Sequence, residues 1–476
     1  MHNQAGFDFG ANVNNALAND RLRRNLDSAM TTLRGKRLDV FTDPVELEQL
    51  RAVGSAIKQR ALCDLPKLLR QLEENCTRNG IRVHWAETTA EANAIVLNIA
   101  KKHQATRVVK GKSMVSEEMH LNAFLADHGI ESMETDLGEF IIQLAGEPPS
   151  HIIVPAIHKN KDEVASIFHE KIPDTPYTEV VEELNAIARQ TLRKKFFDGQ
   201  IGVSGVNFAV AETGTLLLVE NEGNGRMCTT VPPVHIAVMG LEKVVPRLAD
   251  LPPLLRLLTG SATGQLITTY VNMITSPRRE GEKDGPHEVH LVILDNGRSG
   301  IYADPLFRQT LQCIRCGTCL NHCPVYTRIG GHAYGFVYPG PIGEILTPQM
   351  EGLEKAGILA TASSLCNACE AVCPVKIPIP ALLRRLRSRA HDASFHPASK
   401  TVLIAMLLEA LAWKGWALVN RHPQLNTLAT KAAAIGKPLL RLGGPLRRWM
   451  RVRTAPPLAI KTLHERVLEE EGVLND

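Results

Sequence analysis

Seven of the ten cysteines lie in two short runs, and each run ends in Cys-Pro. The first run, residues 313–324, reads C-x2-C-x2-C-x3-C-P, and the second, residues 363–374, repeats that spacing with Ser363 in place of the first cysteine. Three thiolates at this spacing can surround one face of an iron–sulfur cubane, while the fourth cysteine ligates a second cluster. The two runs therefore predict two iron–sulfur clusters, which carry single electrons.

Crossed ligation assigns every motif cysteine to a cluster. The predicted ligands of the first cluster are Cys313, Cys316, Cys319 and Cys373. The predicted ligands of the second cluster are Cys323, Cys366 and Cys369. The second cluster is one thiolate short: Ser363 can supply an oxygen, another group can complete the site, or the cluster has three irons or an open iron. Two [4Fe-4S] clusters are expected, with that fourth ligand unassigned.

Zinc and disulfides are weaker explanations of the same cysteines. Zinc ribbons use C-x2-C pairs but rarely three thiolates in a row followed by Cys-Pro. The first ten residues lack a basic segment followed by an apolar one, so secretion by the usual route is not expected, and a reducing cytosol keeps thiols free for metal. Cys63, Cys76 and Cys228 have no motif and are predicted to be ordinary small apolar residues.

Length and charge give further expectations. A chain of 476 residues is expected to form two or three domains. A net charge of +4 and an aromatic content of 5% give no sign of nucleic-acid binding, and no such partner is predicted. No acidic residue lies between Glu409 and Glu465, where lysine and arginine recur. This basic segment can meet an acidic partner subunit or an anionic membrane surface. The predicted location is the cytoplasm, and the second alternative would place the protein peripherally at the inner face of the membrane.

Residues 402–419 are the most apolar stretch of the chain. They include Glu409 and Lys414 and are barely long enough to cross a bilayer, so no transmembrane helix is predicted. We expect a helix packed on the body of the protein or on a partner. An interfacial helix is the alternative, favoured by Trp413 and Trp416.

The spacing of apolar residues predicts four regions. Residues 1–70 form a helical N-terminal segment, and strands alternate with helices over residues 71–298, which indicates an α/β domain with a parallel or mixed sheet. Residues 299–392 form an α-helical cluster domain, and residues 393–476 a basic helical region. The predicted strands are residues 82–86, 107–110, 132–136, 151–155, 206–210, 215–220, 235–239 and 290–294. The predicted helices include residues 21–37, 44–67, 88–103 and 116–128, and Asp43-Pro44 is a helix start.

Two groups of polar residues in the α/β domain are candidate binding sites. Residues 110–113, Lys-Gly-Lys-Ser, follow a strand and can hold an anion, although the Walker A spacing is absent. Glu134, Asp136 and Glu139 can bind substrate or metal, or lie in a solvated loop. No G-x-G-x-x-G follows the first strand, so a dinucleotide fold is not supported. His151, His158 and His235 are predicted to be structural histidines.

The glycine- and proline-rich residues 330–343 separate the two cysteine runs. Their composition permits tight turns and close backbone approach. We expect this insert to cover a cluster or to dock a partner, with a plain surface loop as the alternative.

Several longer runs resemble one known family. They are KGKSMVSEE at 110–118, METDLGEFIIQL at 133–144, HIIVPAIHK at 151–159, NFAVAETGTLLLVENEGNGRMCTT at 207–230, DNGRSG at 295–300 and the two cysteine runs. In this order they resemble the B component of the lactate-utilisation proteins over nearly the whole chain. The resemblance implies a LUD domain related in fold to ribose-5-phosphate isomerase and CoA transferases, a dicluster ferredoxin module and a short C-terminal region.

The same resemblance implies a function. The chain would be an iron–sulfur subunit that works with A and C components to oxidise L-lactate to pyruvate, without independent activity. It implies [4Fe-4S] clusters on the seven cysteines and identifies no lactate-binding residue. The alternative is a self-contained oxidoreductase whose α/β domain binds substrate or nucleotide beside the clusters.

Overall fold

The computed structural model describes residues 7–393 and 400–436, together with residues 461, 463, 465–467 and 470. The chain forms two compact units, of which the first ends at Ala393 and contains all seven motif cysteines. Four helices begin the first unit: α1 (Phe9–Ala18), α2 (Asp20–Val40), α3 (Pro44–Cys63) and α4 (Leu65–Arg78).

The start predicted at Asp43-Pro44 is confirmed as the beginning of α3. The Asp43 carboxylate accepts the backbone N–H groups of Val45 and Glu46, at 2.8 and 3.3 Å. Pro44 occupies the first turn, where its missing N–H leaves no helical hydrogen bond unmade. The cap therefore fixes where α3 begins.

Ten strands and nine further helices complete the α/β part of the unit. The strands are β1 (Arg82–Ala86), β2 (Arg107–Lys110), β3 (Glu131–Glu134), β4 (Ile201–Gly205), β5 (Phe208–Val210), β6 (Thr215–Glu220), β7 (Val234–Gly240), β8 (Val244–Val245), β9 (Tyr270–Ile274) and β10 (Glu288–Leu294). The helices are α5 (Thr89–Lys102), α6 (Met114–Glu118), α7 (Leu121–Asp127), α8 (Leu137–Ala145), α9 (Lys161–Lys171), α10 (Val181–Asp198), α11 (Asn224–Thr230), α12 (Leu251–Ala262) and α13 (Arg298–Ala303).

The main sheet has six parallel strands in the order β1-β10-β7-β4-β2-β3. Along β7, Ile236 and Val238 pack in one core cluster, whereas Ala237 and Met239 pack in another. Successive strand residues point to opposite faces, so both faces of this strand are buried. The apolar runs predicted as strands at 235–239 and 290–294 are thus the centre of the sheet.

A second sheet has the order β8-β5-β6-β9. β5 and β6 pair antiparallel, and Gly214, at the turn between them, has a φ of 66°. A side chain at that position would meet the backbone of Asn75 in α4 at 2.7 Å, which explains why glycine occupies it. The sequence Glu212-Thr213-Gly214 between two apolar runs predicts such a turn, and the structure confirms it.

Residues 151–155, predicted as a strand, do not form one. The Nδ1 atom of His151 accepts the backbone N–H groups of Ile153 and Val154, both at 3.1 Å, which folds the segment back on itself. Ile152 instead packs in the core cluster that contains the first cysteine loop. The apolar run is buried by tertiary packing and makes no strand pairing.

The helix predicted over residues 116–128 is divided in two. His120 adopts a left-handed conformation, with φ of 48°, between α6 and α7. The helix predicted over residues 88–103 is confirmed as α5, which Thr88 caps through the N–H of Glu91 at 3.2 Å.

The cysteine region is helical and packs on the α/β part. Its helices are α14 (Thr318–Asn321), α15 (Tyr326–Ile329), α16 (Gly340–Glu351), α17 (Leu353–Ala356), α18 (Ala368–Val372) and α19 (Ile379–Ala393). The glycine- and proline-rich insert supplies the start of α16, and residues 340–348 are all buried. Because α16 contacts α14 and α19, the insert is part of the core and not a plain surface loop.

The second unit contains α20 (Lys400–Arg421) and α21 (Pro423–Gly436). Among the described residues, no helix is long and apolar enough to cross a membrane. The side chains of Trp413 and Trp416 are 59% and 61% exposed. Residues 437–460 of the predicted basic segment lie outside the described residues.

Candidate iron–sulfur site

The two cysteine loops have the same backbone conformation. Arg315 and Leu365, two residues after the first position of each loop, have φ of 61° and 55°. Gly317 and Asn367, two residues further on, have φ of 72° and 65°. Left-handed backbone at matching positions is uncommon for residues other than glycine, so the repeat extends from the spacing to the conformation.

Ser363 occupies the position that Cys313 has in the first loop. The Cys313 sulfur accepts the N–H of Arg315 at 3.4 Å, and the Ser363 hydroxyl oxygen accepts the N–H of Leu365 at 3.2 Å. The oxygen is therefore held by its loop as the sulfur is. The sequence spacing predicts Ser363 as a possible ligand, and the hydrogen bond to its side-chain oxygen matches the one to the Cys313 sulfur.

The first predicted set of cysteines surrounds a small, largely apolar cavity. Its walls include Cys313, Cys316, Cys319 and Cys373. Ile377 donates its N–H to the Cys373 sulfur at 3.3 Å, and Cys373 comes from the second run, as crossed ligation requires. The chain thus provides an enclosed space lined by four thiols.

The second predicted set also comes together. Burial raises the pKa of Cys323 to about 12, and the charges of Glu344 and Cys366 add to the effect. Burial likewise raises the pKa of Cys369 to about 12, with contributions from Cys323, Glu344 and Cys366. Such thiols stay protonated at neutral pH unless a cation is bound. Buried sulfur donors in this number suit iron, so the residues fit the clusters that the sequence predicts.

The two sets of cysteines lie side by side. Cys319 of the first set has a pKa well above the usual range, chiefly through burial, and Cys369 of the second set contributes to that shift. Exposure differs between the sets: Cys366 of the second set is exposed, Cys313 of the first set is half-buried, and the other five motif cysteines are buried. The second set is therefore nearer to solvent.

Glu344 is a buried carboxylate that the sequence analysis did not identify. Burial raises its pKa to about 8. One carboxylate oxygen accepts the Tyr334 hydroxyl at 3.3 Å, and the other has no hydrogen-bond partner among the described residues. In the sequence, Glu344 is the single charged residue in the otherwise apolar start of α16, and this pattern could have indicated a buried carboxylate.

A buried charge network joins the first cysteine loop to the α/β part. Glu242 accepts Arg315 at 3.1 Å and Arg298 at 2.7 Å, and its backbone carbonyl accepts the Lys58 amine at 2.7 Å. Burial alone would raise the pKa of Glu242, but Arg298 and Arg315 lower it to about 2. The carboxylate is therefore charged at every physiological pH.

A cavity of about 280 Å³ lies against this network. Lys112, Lys243 and Arg315 line it, together with the acidic residues Asp136, Glu220 and Glu222. Burial is the main cause that lowers the pKa of Lys243 to about 8, with the charge of Arg315 adding to it.

Lys110 is not available to bind an anion. Its amine is buried and contacts Glu134 at 2.6 Å, Glu117 at 2.8 Å and the Ser116 hydroxyl at 2.9 Å. Of the predicted anion-binding residues, only Lys112 and its neighbours reach the cavity.

The three carboxylates near the end of β3 have separate surroundings. Glu134 pairs with Lys110, and the Asp136 side chain caps α8 by accepting the N–H of Glu139 at 3.2 Å. Glu139 itself is 3% exposed, and burial raises its pKa well above the usual range. The solvated-loop alternative is wrong for Glu134 and Glu139, because both are buried.

The structural role of the three histidines stays a prediction, because ligand atoms of His158, Glu147 and His332 lie within 4.8 Å of one another and could hold a metal ion. His151 contacts Asn321 at 3.0 Å and His235 contacts the Ser204 hydroxyl at 2.8 Å. His158 lies 2.7 Å from Glu147.

The three cysteines outside the motifs differ in burial. Cys76 and Cys228 are buried, and burial raises the pKa of each to about 12. Cys63 is exposed.

Three family models match successive parts of the chain. A LUD domain matches residues 69–294, a 4Fe-4S dicluster domain matches residues 309–377, and the model described as Lactate utilisation protein B, C-terminal, matches residues 385–472. Lactate utilization protein B of Bacillus licheniformis is 43% identical over 456 residues, 94% of each chain. The chain belongs to the lactate utilization protein B family.

Two further relatives have the same extent. Lactate utilization protein B of Bacillus subtilis is 41% identical, with 94% of this chain and 93% of the relative covered. A protein of Escherichia coli described as uncharacterized electron transport protein YkgF is 40% identical, with 94% of each chain covered. The predicted fold class is confirmed: an α/β LUD domain is followed by a dicluster ferredoxin region and a helical C-terminal region. The prediction of iron–sulfur binding is confirmed as well.

Proposed function

We propose that the chain is the iron–sulfur electron-transfer subunit of a complex that oxidises L-lactate to pyruvate. The names of its relatives refer to lactate utilization and to electron transport. The observation that carries the proposal is the repeated cysteine loop, which gathers seven thiols into two neighbouring sets. Bound clusters would supply one-electron transfer.

The ligands follow the crossed arrangement. The first [4Fe-4S] cluster is held by Cys313, Cys316, Cys319 and Cys373. The second is held by Cys323, Cys366, Cys369 and, as its fourth ligand, the Ser363 hydroxyl oxygen. The matching turn at Ser363 supports this fourth ligand. Residues 299–392 form the cluster domain, residues 71–298 the LUD domain that carries it, and residues 1–70 and 393–476 the helical ends.

The partners are the A and C components of the same system, and the chain has no independent activity. The basic segment after Glu409 supports attachment to an acidic partner or to the anionic inner face of the cytoplasmic membrane. No nucleic acid is involved.

Reconstitution tests the subunit role. The purified holoprotein alone should oxidise L-lactate at a negligible rate, and addition of the A and C components should restore lactate-dependent reduction of an artificial acceptor. Full activity of the chain alone would show that it is a self-contained oxidoreductase.

Iron analysis tests the ligands separately from activity. Cys316→Ala should lose about four of about eight irons, because one cubane is removed. Cys228→Ala is the matched control: this cysteine is equally buried but contacts the Thr135 hydroxyl at 3.3 Å, outside both cysteine sets. Equal iron in both variants would contradict the assignment.

A further inference from the structure

The cavity of about 280 Å³ adjoins the first cysteine set. Arg315, which lies between Cys313 and Cys316 in the first loop, lines both the cavity and the space enclosed by the four thiols. Ile152 also lines both. A molecule in the cavity would therefore be separated from the first cluster only by the residues of this loop and its neighbours.

Two buried cationic side chains of the cavity lining have donors without an acceptor among the described residues. Lys243 is 8% exposed, and its amine makes no hydrogen bond or ion pair with any residue in the described ranges. Arg315 is 7% exposed; its Nη2 atom binds Glu242, but its Nη1 atom has no partner among those residues. Burying a cationic donor without an acceptor is costly, so such groups usually meet a ligand.

Each acidic residue that lines the cavity accepts at least one hydrogen bond from the chain. Glu220 accepts the N–H groups of Gly225 and Arg226, both at 2.6 Å. Glu222 accepts the N–H of Leu137 at 3.0 Å.

The remaining charged residues of the lining are also engaged. Asp136 caps α8, and the Lys112 amine donates to the backbone carbonyl of Ile153. Of the cationic groups in the lining, the Lys243 amine and the Arg315 Nη1 atom are thus the ones without an acceptor among the described residues.

We propose that this cavity binds a small organic carboxylate, whose carboxylate group accepts from the Lys243 amine and the Arg315 Nη1 atom. A carboxylate has two oxygens and can accept from both donors at once. The apolar residues Met114, Val206 and Val238 line the same space and suit the carbon skeleton of a short-chain acid. The proposal deepens the proposed function by assigning a substrate-class site to the LUD domain, but binding itself does not depend on electron transfer.

The site also has an electrostatic link to the first cluster. The charge of Lys243 interacts with Cys313, and so does that of Arg315. A bound carboxylate would offset those positive charges, and a less positive surrounding makes reduction of a cluster harder. Occupancy should therefore shift the midpoint potential of the first cluster to a more negative value.

The experiment is calorimetric titration of the anaerobic, full-length holoprotein with L-lactate, pyruvate, acetate and inorganic phosphate in separate runs. At least one of the carboxylates should bind with one-to-one stoichiometry. Lys243→Met should weaken that binding at least about tenfold, because one of two charge-assisted hydrogen bonds is lost. Lys243→Arg should retain it.

Lys58→Met is the matched control. Lys58 is also buried and its charge also interacts with Cys313, but it donates to the Glu242 carbonyl and does not line the cavity. The Lys58→Met variant should bind the carboxylate with the same affinity as the unsubstituted protein. Met114→Trp, which fills the cavity without removing a charge, should abolish binding with iron content unchanged, and it serves if Lys243→Met does not fold.

The outcomes separate this proposal from the proposed function. A holoprotein with full iron that binds none of the carboxylates, or binds phosphate more tightly than all of them, overturns the carboxylate site and leaves the electron-transfer role intact. Binding that survives Met114→Trp also overturns it. Carboxylate binding by a chain that fails to support lactate oxidation in the assembled complex would contradict the proposed function instead.

Discussion

Glu242 and Arg315 form a buried ion pair of 3.1 Å that links the LUD domain to the first cysteine loop. Glu242 lies just after β7 at the centre of the main sheet, whereas Arg315 lies between two predicted ligands of the first cluster. The same carboxylate binds Arg298, which also pairs with the buried Glu118, so two acidic groups neutralise two buried guanidinium groups. The position of the cysteine loop on the sheet therefore depends on charge as well as on apolar packing.

Glu242→Gln should destabilise the protein by about 3–5 kcal/mol, because the buried Arg315 loses its counter-charge and the buried Arg298 keeps only Glu118. Urea unfolding followed by circular dichroism measures this. Glu351→Gln is the control, since Glu351 pairs with the partly exposed Lys355 and such pairs contribute about 0–1 kcal/mol. Equal stability of the two variants would show that the buried network contributes little.

Ser363→Ala should lose about one of about eight irons and give a three-iron signal in the electron paramagnetic resonance spectrum, because the fourth ligand of the second cluster is removed. Ser363→Cys should retain all the iron with a changed spectrum. Ser364→Ala is the control, as this neighbouring serine is exposed. If Ser363→Ala keeps the iron and the spectrum of the unsubstituted protein, another group completes the cluster, and Glu344 with its free carboxylate oxygen becomes the candidate.

The free energy of unfolding should fall as the pH drops below about 6.5, in part because of His235. Burial lowers the pKa of this histidine to about 3, while the unfolded side chain has a pKa of about 6.5. Between these values the unfolded state binds the extra proton, so protonation favours unfolding, and stability is retained above the higher value.

His235→Gln should reduce this pH dependence by up to about 2 kcal/mol between about pH 6.5 and about pH 5. Urea unfolding at the two pH values gives the difference, and comparison of variants cancels effects of acid on the clusters. His128→Gln alters an exposed histidine and should retain the original slope. An unchanged slope in His235→Gln would assign the acid sensitivity to other groups.

Deletion of residues 394–476 should leave the iron content unchanged, because all seven motif cysteines lie in the first compact unit. Binding to anionic vesicles should weaken at least about tenfold, since each Lys or Arg near such a surface contributes about 1 kcal/mol. Co-sedimentation with phosphatidylglycerol vesicles measures this, with neutral phosphatidylcholine vesicles as the control. Loss of iron in the shortened chain would show that the C-terminal unit is needed for the cluster fold.

Local features of the chain were predictable from the sequence. The start of α3 at Asp43-Pro44, the turn at Gly214 and the buried strand β7 each follow from residues within a few positions of one another. The two cysteine runs were equally clear, because metal ligation imposes a fixed spacing on the chain.

Features that depend on distant contacts were not predictable. Residues 151–155 read as a strand by composition, but hydrogen bonds to the His151 ring replace strand pairing. Glu242 and Arg315 are 73 positions apart, and neither residue alone indicates a buried pair. Lys110 appeared to be an anion ligand because the sequence does not show that Glu134 neutralises it.

The two cysteine sets differ in their access to solvent, because Cys366 is exposed. The first cysteine set adjoins the cavity of about 280 Å³, whereas the second set reaches solvent at Cys366. In the proposed electron transfer, a partner's acceptor would approach the face that contains Cys366, because electron tunnelling falls steeply with distance. The same face admits dioxygen, and the second cluster should be the first to be lost when the isolated chain is handled in air. A partner bound at this face would shield the proposed second cluster from oxidation as well as accept its electron.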